Sequence, residues 1–84
     1  MPVNWVVYMV RCADDSLYTG ITTDPQRRVK EHNECDKKSA KYTRARRPVQ
    51  LVYVESCADR SSASQREAQL KRLPRAQKLS LTSE

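Results

Sequence analysis

The chain has 84 residues, a single glycine, no phenylalanine, and 16 Lys and Arg against 10 Asp and Glu, for a formal charge of +6. That length holds one hydrophobic core, so residues 1–84 read as one domain. The lone Gly20 excludes collagen-like and low-complexity classes, and also the phosphate-cradling loops that need several positions free of Cβ.

Residues 5–12 (WVVYMVRC) are β-branched, aromatic and apolar and predict a strand. Ala13-Asp14-Asp15 is a turn, because Asp tolerates the left-handed region and bonds its own backbone. Residues 16–22 (SLYTGIT) are the returning strand of a hairpin. Facing residues of an antiparallel pair have a constant index sum. A three-residue turn therefore sets Cys12 against Ser16, Val10 against Tyr18 and Tyr8 against Gly20. Both tyrosines then emerge on one face, beside a notch where Gly20 offers no side chain.

Asp24 is a good N-cap and Pro25 is favoured at the first helical position, so a helix starts there and runs to about Cys35. Arg28 and His32, four apart, flank Val29 on its inner face. Residues 36–48 lack periodicity and read as a charged loop with room for one helical turn. Residues 49–57 (VQLVYVESC) form a third strand, whose unbroken apolar run predicts a central position with Tyr53 in the core. Residues 59–73 form a helix; Ser62 with Gln65 and Ser64 with Glu67 fit capping boxes. Glu67 falls on the apolar stripe of Ala63, Leu70 and Leu73. Pro74 interrupts, and residues 75–81 make a short last helix packed through Ala76, Leu79 and Leu81. The order is β-β-α-β-α-α, an α+β fold with about three helices on a three-stranded antiparallel sheet. In so thin a core, Trp5, Leu51 and Val52 are expected to be costly to truncate.

The longest apolar run, Val6 to Val10, is far short of the roughly 18 residues of a membrane span. Three cysteines without a C-x-x-C point to a reduced, cytoplasmic protein. Residues 27–47 carry nine bases and three acids, so this one stretch matches the net charge of the whole chain. Such clustering is the footprint expected for a polyanion partner.

Two tyrosines beside a glycine notch, an Arg/His pair, a carboxylate on an apolar helical face and a basic loop together resemble the GIY-YIG nuclease superfamily. The likeness is to its small stand-alone bacterial members related to the excinuclease N-terminal domain. The family's two tripeptides read Val6-Val7-Tyr8 and Tyr18-Thr19-Gly20 here, its helical arginine matches Arg28, the His or Tyr one turn later matches His32, and its glutamate matches Glu67. The family often has an asparagine beyond that glutamate; this chain has none after Asn33.

The resemblance implies metal-dependent phosphodiester hydrolysis in DNA, with RNA as the other polyanion, and a role in DNA repair or recombination. Glu67 would hold one ion, Mg²⁺ or Mn²⁺, and Arg28 would stabilise phosphoryl charge. Tyr8 is the first choice as general base and Tyr18 as the group positioning the water or metal; the two roles can be exchanged. Base catalysis requires the Tyr8 phenol to be lowered from its ordinary pKa by Arg28, the metal or Lys30. His32 would bind phosphate or relay the proton. The backbone would be docked by Lys30, Lys37, Lys38, Lys41, Arg44, Arg46 and Arg47, with Tyr42 facing the substrate. Specificity would be weak, or supplied by a protein partner. The alternative is a weakly active or inactive nucleic-acid-binding module of the same fold.

Overall fold

The structure, a computed structural model, describes residues 4–82. Its elements are β1 (Trp5–Arg11), β2 (Leu17–Thr22), α1 (Pro25–Glu34), α2 (Lys41–Arg44), β3 (Gln50–Cys57), α3 (Arg60–Arg72) and α4 (Arg75–Thr82). The α+β class and the antiparallel three-stranded sheet are as the sequence predicts. The hairpin register is also as expected, with Tyr8 opposite Gly20 and Val10 opposite Tyr18. Asp15 takes φ 66°, the left-handed position that a short polar side chain tolerates. Asp14 fixes the same turn by accepting from the Ser16 amide at 3.0 Å.

The sheet order is β2-β1-β3, so β1 is central and β3 lies at an edge, contrary to the reading of its apolar run. The reason is a β-bulge. Met9 faces Tyr53 but Val10 faces Leu51, which leaves Val52 as an extra residue. The run of apolar residues serves a strand that changes face parity, not one buried on both sides. All of Val6 to Val10 is buried on β1, whereas Gln50, Val54 and Ser56 of β3 are exposed. Tyr53 is only half-buried, its hydroxyl donating to Glu55 Oε1 at 2.5 Å. Trp5, Leu51 and Val52 are likewise half-buried. The largest fully buried side chains are instead Tyr8, Met9, Leu70, His32, Val7, Val10 and Thr43.

Asp24 caps α1 by accepting from the Arg27 amide at 3.1 Å, with Pro25 next in line. Asn33, near the end of α1, pairs both ways with the Val49 backbone, accepting at 2.7 Å and donating at 3.0 Å. This amide-to-backbone pair fixes where β3 begins. The cap of α3 is Asp59, accepting from Ser62 at 2.7 Å; the expected capping boxes do not form because the helix starts ahead of both serines. Ala63 and Leu70 of α3 are fully buried, and the helix packs on β1 and β2. α4 lies on β3 with Leu79 and Leu81 each 37 % exposed and Ala76 exposed, so its apolar residues contribute little packing. Cys12, Cys35 and Cys57 are free thiols. Among the described residues, no helix is long and apolar enough to cross a membrane.

Candidate active site

Gly20 is the floor of the site. A Cβ built on it would stand 2.6 Å from the Tyr8 hydroxyl oxygen and 2.8 Å from Cζ, inside any allowed contact. The glycine is needed for this close approach, since its φ is not in the left-handed region. The Tyr8 side chain lies across the position a larger residue would fill. It is 1 % exposed and joins Val10, Cys12 and Val49 in the core, with Val29 and Leu51 packed around them.

α1 brings His32 to this phenol. The imidazole is wholly buried, with Nε2 2.8 Å from the Tyr8 hydroxyl and Nδ1 2.9 Å from the Thr43 hydroxyl. Tyr18, on the same sheet face as Tyr8, meets the His32 ring edge-on at 5.3 Å between centroids. Its other neighbour is Tyr42 of α2, stacked at 5.9 Å and 26°. The Arg46 guanidinium closes this column 4.0 Å above the Tyr42 ring. It is held there by Asp14 at 3.1 Å and the Tyr42 carbonyl at 2.9 Å.

Arg28 and Glu67 complete the group from opposite sides of the sequence. Arg28 pairs with Glu31 at 3.3 Å, donates to the Lys38 carbonyl, and its charge bears on the Tyr8 phenol. Glu67, half-buried on the inner stripe of α3, pairs with Lys71 at 3.4 Å, and its charge also reaches Tyr8. Tyr18, Arg28, His32 and Glu67, spread over some 50 residues, thus all act on one phenol.

The chain matches the GIY-YIG catalytic domain over residues 4–80. It belongs to that family. The GIY-YIG match places it in a superfamily of nucleases. It is 57 % identical to a UPF0213 protein of Desulfotalea psychrophila over 92 % of this chain and 69 % of that one. It is 53 % identical to a UPF0213 protein of Haloquadratum walsbyi over 93 % and 85 % of the two chains. The solution structure of the Enterococcus relative (E. faecalis EF2693) aligns with TM-score 0.60 and 40 % identity over 93 % of this chain and 82 % of that one. The UPF0213 protein of Bacillus halodurans aligns with TM-score 0.57 and 42 % identity over 93 % and 81 %.

The electrostatics of this GIY-YIG site differ from the expected ones. Burial, and then the neighbouring Tyr18, push the Tyr8 phenol up to about 12, against the lowering that Arg28 supplies. Lys30 is not among the groups that act on it. Burial, with Arg28 and Arg47 adding to it, pulls His32 down to about 4, so the ring is neutral. With both nitrogens engaged and no exposure, His32 does not reach a phosphate as the structure stands.

The basic arm also divides. Arg44 donates to the Asp36 carbonyl at 2.6 Å, and Arg46 is spent on Asp14 and Tyr42. Arg47 donates to the His32 carbonyl at 2.6 Å and to Asp36 at 2.8 Å. These arginines are ties that shape the loop around the site. Lys38 reaches Glu31 only at 3.9 Å and is largely exposed. Lys30, Lys37 and Lys41 are exposed and have no ion pair among the described residues. Tyr42, 38 % exposed, is the one member of the aromatic column at the surface. Sequence reasoning missed Thr43. Its only signal was the second ring nitrogen of His32, which a buried imidazole must satisfy somewhere.

Proposed function

We propose that this chain is a metal-dependent endonuclease that hydrolyses DNA phosphodiester bonds with little sequence preference, acting in repair or recombination in the cytoplasm. The observation that carries the reading is convergence. Tyr18, Arg28, His32 and Glu67 all bear on a phenol that only a glycine at position 20 could admit.

Among the described residues no group of three His, Cys, Asp or Glu could hold an ion, so a zinc-type protein cage is absent there. One half-buried carboxylate fits Mg²⁺ or Mn²⁺, which keep most of their waters and take few protein ligands. Glu67 would hold that ion, exchanging its Lys71 partner for it. Bound there, a divalent cation supplies Lewis-acid stabilisation and the positive charge that the buried Tyr8 phenol lacks. Arg28 would bind phosphoryl oxygens through its planar fork, giving up its Glu31 and Lys38 partners. With the cation's charge in place Tyr8 would lose its own proton to solvent, and the phenolate would then accept the proton of the attacking water. Tyr18, clamped between His32 and Tyr42, orients the water. Lys30, Lys37, Lys38 and Lys41 would dock the phosphate backbone.

Nicking of supercoiled plasmid with Mg²⁺ or Mn²⁺ tests the reading. Glu67→Ala, Arg28→Ala and Tyr8→Phe are each expected to cut at least about a hundredfold more slowly while remaining folded by circular dichroism. If wild type and Glu67→Ala are indistinguishable in every metal and salt while binding DNA equally, the chain is a binding module instead.

A further inference from the structure

We infer that Thr43 and the Ala40 amide lock His32 in the tautomer protonated on Nε2, which makes Thr43 a positioning residue for the Tyr8 phenol. A neutral imidazole has one donor and one acceptor nitrogen. Three groups decide which is which. The Ala40 amide approaches Nδ1 at 3.4 Å, and a backbone N–H can only donate. A proton on Nδ1 would set N–H against N–H. The Thr43 hydroxyl lies 2.9 Å from Nδ1 and 3.0 Å from the Ala40 carbonyl, and can turn to either. That carbonyl already accepts the Arg44 amide at 3.0 Å, so it is satisfied without the hydroxyl. With the hydroxyl turned to the ring, both donors converge on Nδ1, which keeps its lone pair and leaves the proton on Nε2, 2.8 Å from the Tyr8 oxygen.

The chemical consequence concerns direction. His32 takes no proton from Tyr8. It donates to the phenol oxygen, an interaction that strengthens as that oxygen gains negative charge. The phenol's own proton then has no acceptor among the described residues, and it is the proton that must leave before Tyr8 can act as a base. The suppressed basicity of the buried ring keeps it from carrying two protons near neutral pH. The catalytic meaning of the lock rests on the nuclease reading; the tautomer does not.

The chain has one histidine, so a long-range ¹H–¹⁵N correlation of uniformly labelled protein at neutral pH reports on His32 alone. A pyridine-type Nδ1 and a pyrrole-type Nε2 are expected. Thr43→Val removes one donor at matched volume and should lower the tautomer ratio about tenfold, drawing the two nitrogen shifts together. Thr43→Ser should restore them. Nicking is expected to fall about tenfold in Thr43→Val and recover in Thr43→Ser, in step with the spectrum. A protonated Nδ1 in the wild type overturns the lock, and unmoved shifts in Thr43→Val overturn the part given to Thr43. Should Thr43→Val not fold, the wild-type and Thr43→Ser spectra still decide. An Nε2–H spectrum without cleavage under any condition removes the nuclease reading and keeps the lock; normal cleavage with a protonated Nδ1 does the reverse.

Discussion

Tyr8 and Gly20 are a pair in which each residue type explains the other. Gly20→Ala would put a methyl group 2.6 Å from the phenol oxygen, and the phenol cannot retreat without leaving His32. The expected cost is about 1–3 kcal/mol of stability by urea denaturation, together with loss of nicking that Tyr8→Phe does not deepen. His32 gives a second test at this scale, through pH. Its pKa is about 4 in the fold and 6.5 in the unfolded chain. Between those values the unfolded chain takes up a proton that the native one refuses, so stability is full above pH 6.5 and declines as pH falls toward 4. About 2 kcal/mol is expected to be lost between pH 7 and pH 5. Because the chain has one histidine, His32→Gln should remove that slope, and an unchanged slope would refute burial of a neutral ring.

Among the elements, the segment around α2 shows how far charge can mislead. Its bases read as a uniform docking arm, yet its arginines are paired within the fold while its lysines are exposed. Arg47→Ala is expected to destabilise the fold by about 1–3 kcal/mol, since it loses the His32 carbonyl and Asp36 together. Replacing Lys30, Lys37 and Lys41 with Ala should leave stability within about 0.5 kcal/mol. It should instead flatten the salt dependence of DNA binding by roughly 0.9 per lost phosphate contact. Equal effects from the two sets would contradict the division. Much of the site was readable because it rests on local rules. Hairpin arithmetic set Tyr8 over Gly20, and Asp24-Pro25 set the phase that aims Arg28 and His32 inward. Thr43 and the arginine ties were not readable, because they depend on how a segment without periodicity closes back on α1. The position of β3 was misread for a related reason: a bulge at Val52 is invisible in an apolar run.

The whole molecule has little core to spare, and part of that core is the site itself. Leu70→Ala is expected to cost about 2–5 kcal/mol, a large share of the roughly 5–15 kcal/mol a small domain holds. Since α3 also carries Glu67, nicking by that variant should fall with its folded fraction on warming, well before wild type. A variant that stays active past its own unfolding transition would sever this link.

The central place of β1 has one more consequence. Tyr8 sits on the strand hydrogen-bonded on both sides, where amides are expected to be the last to exchange with solvent. Tyr18 is on an edge strand, and Tyr42 and Thr43 are on a segment held by side-chain ties. The phenol is thus expected to be the stationary member of the group, with its partners on elements held less tightly than β1. Access to the Tyr8 hydroxyl would then be expected from the α2 side, with the phenol itself staying in its place.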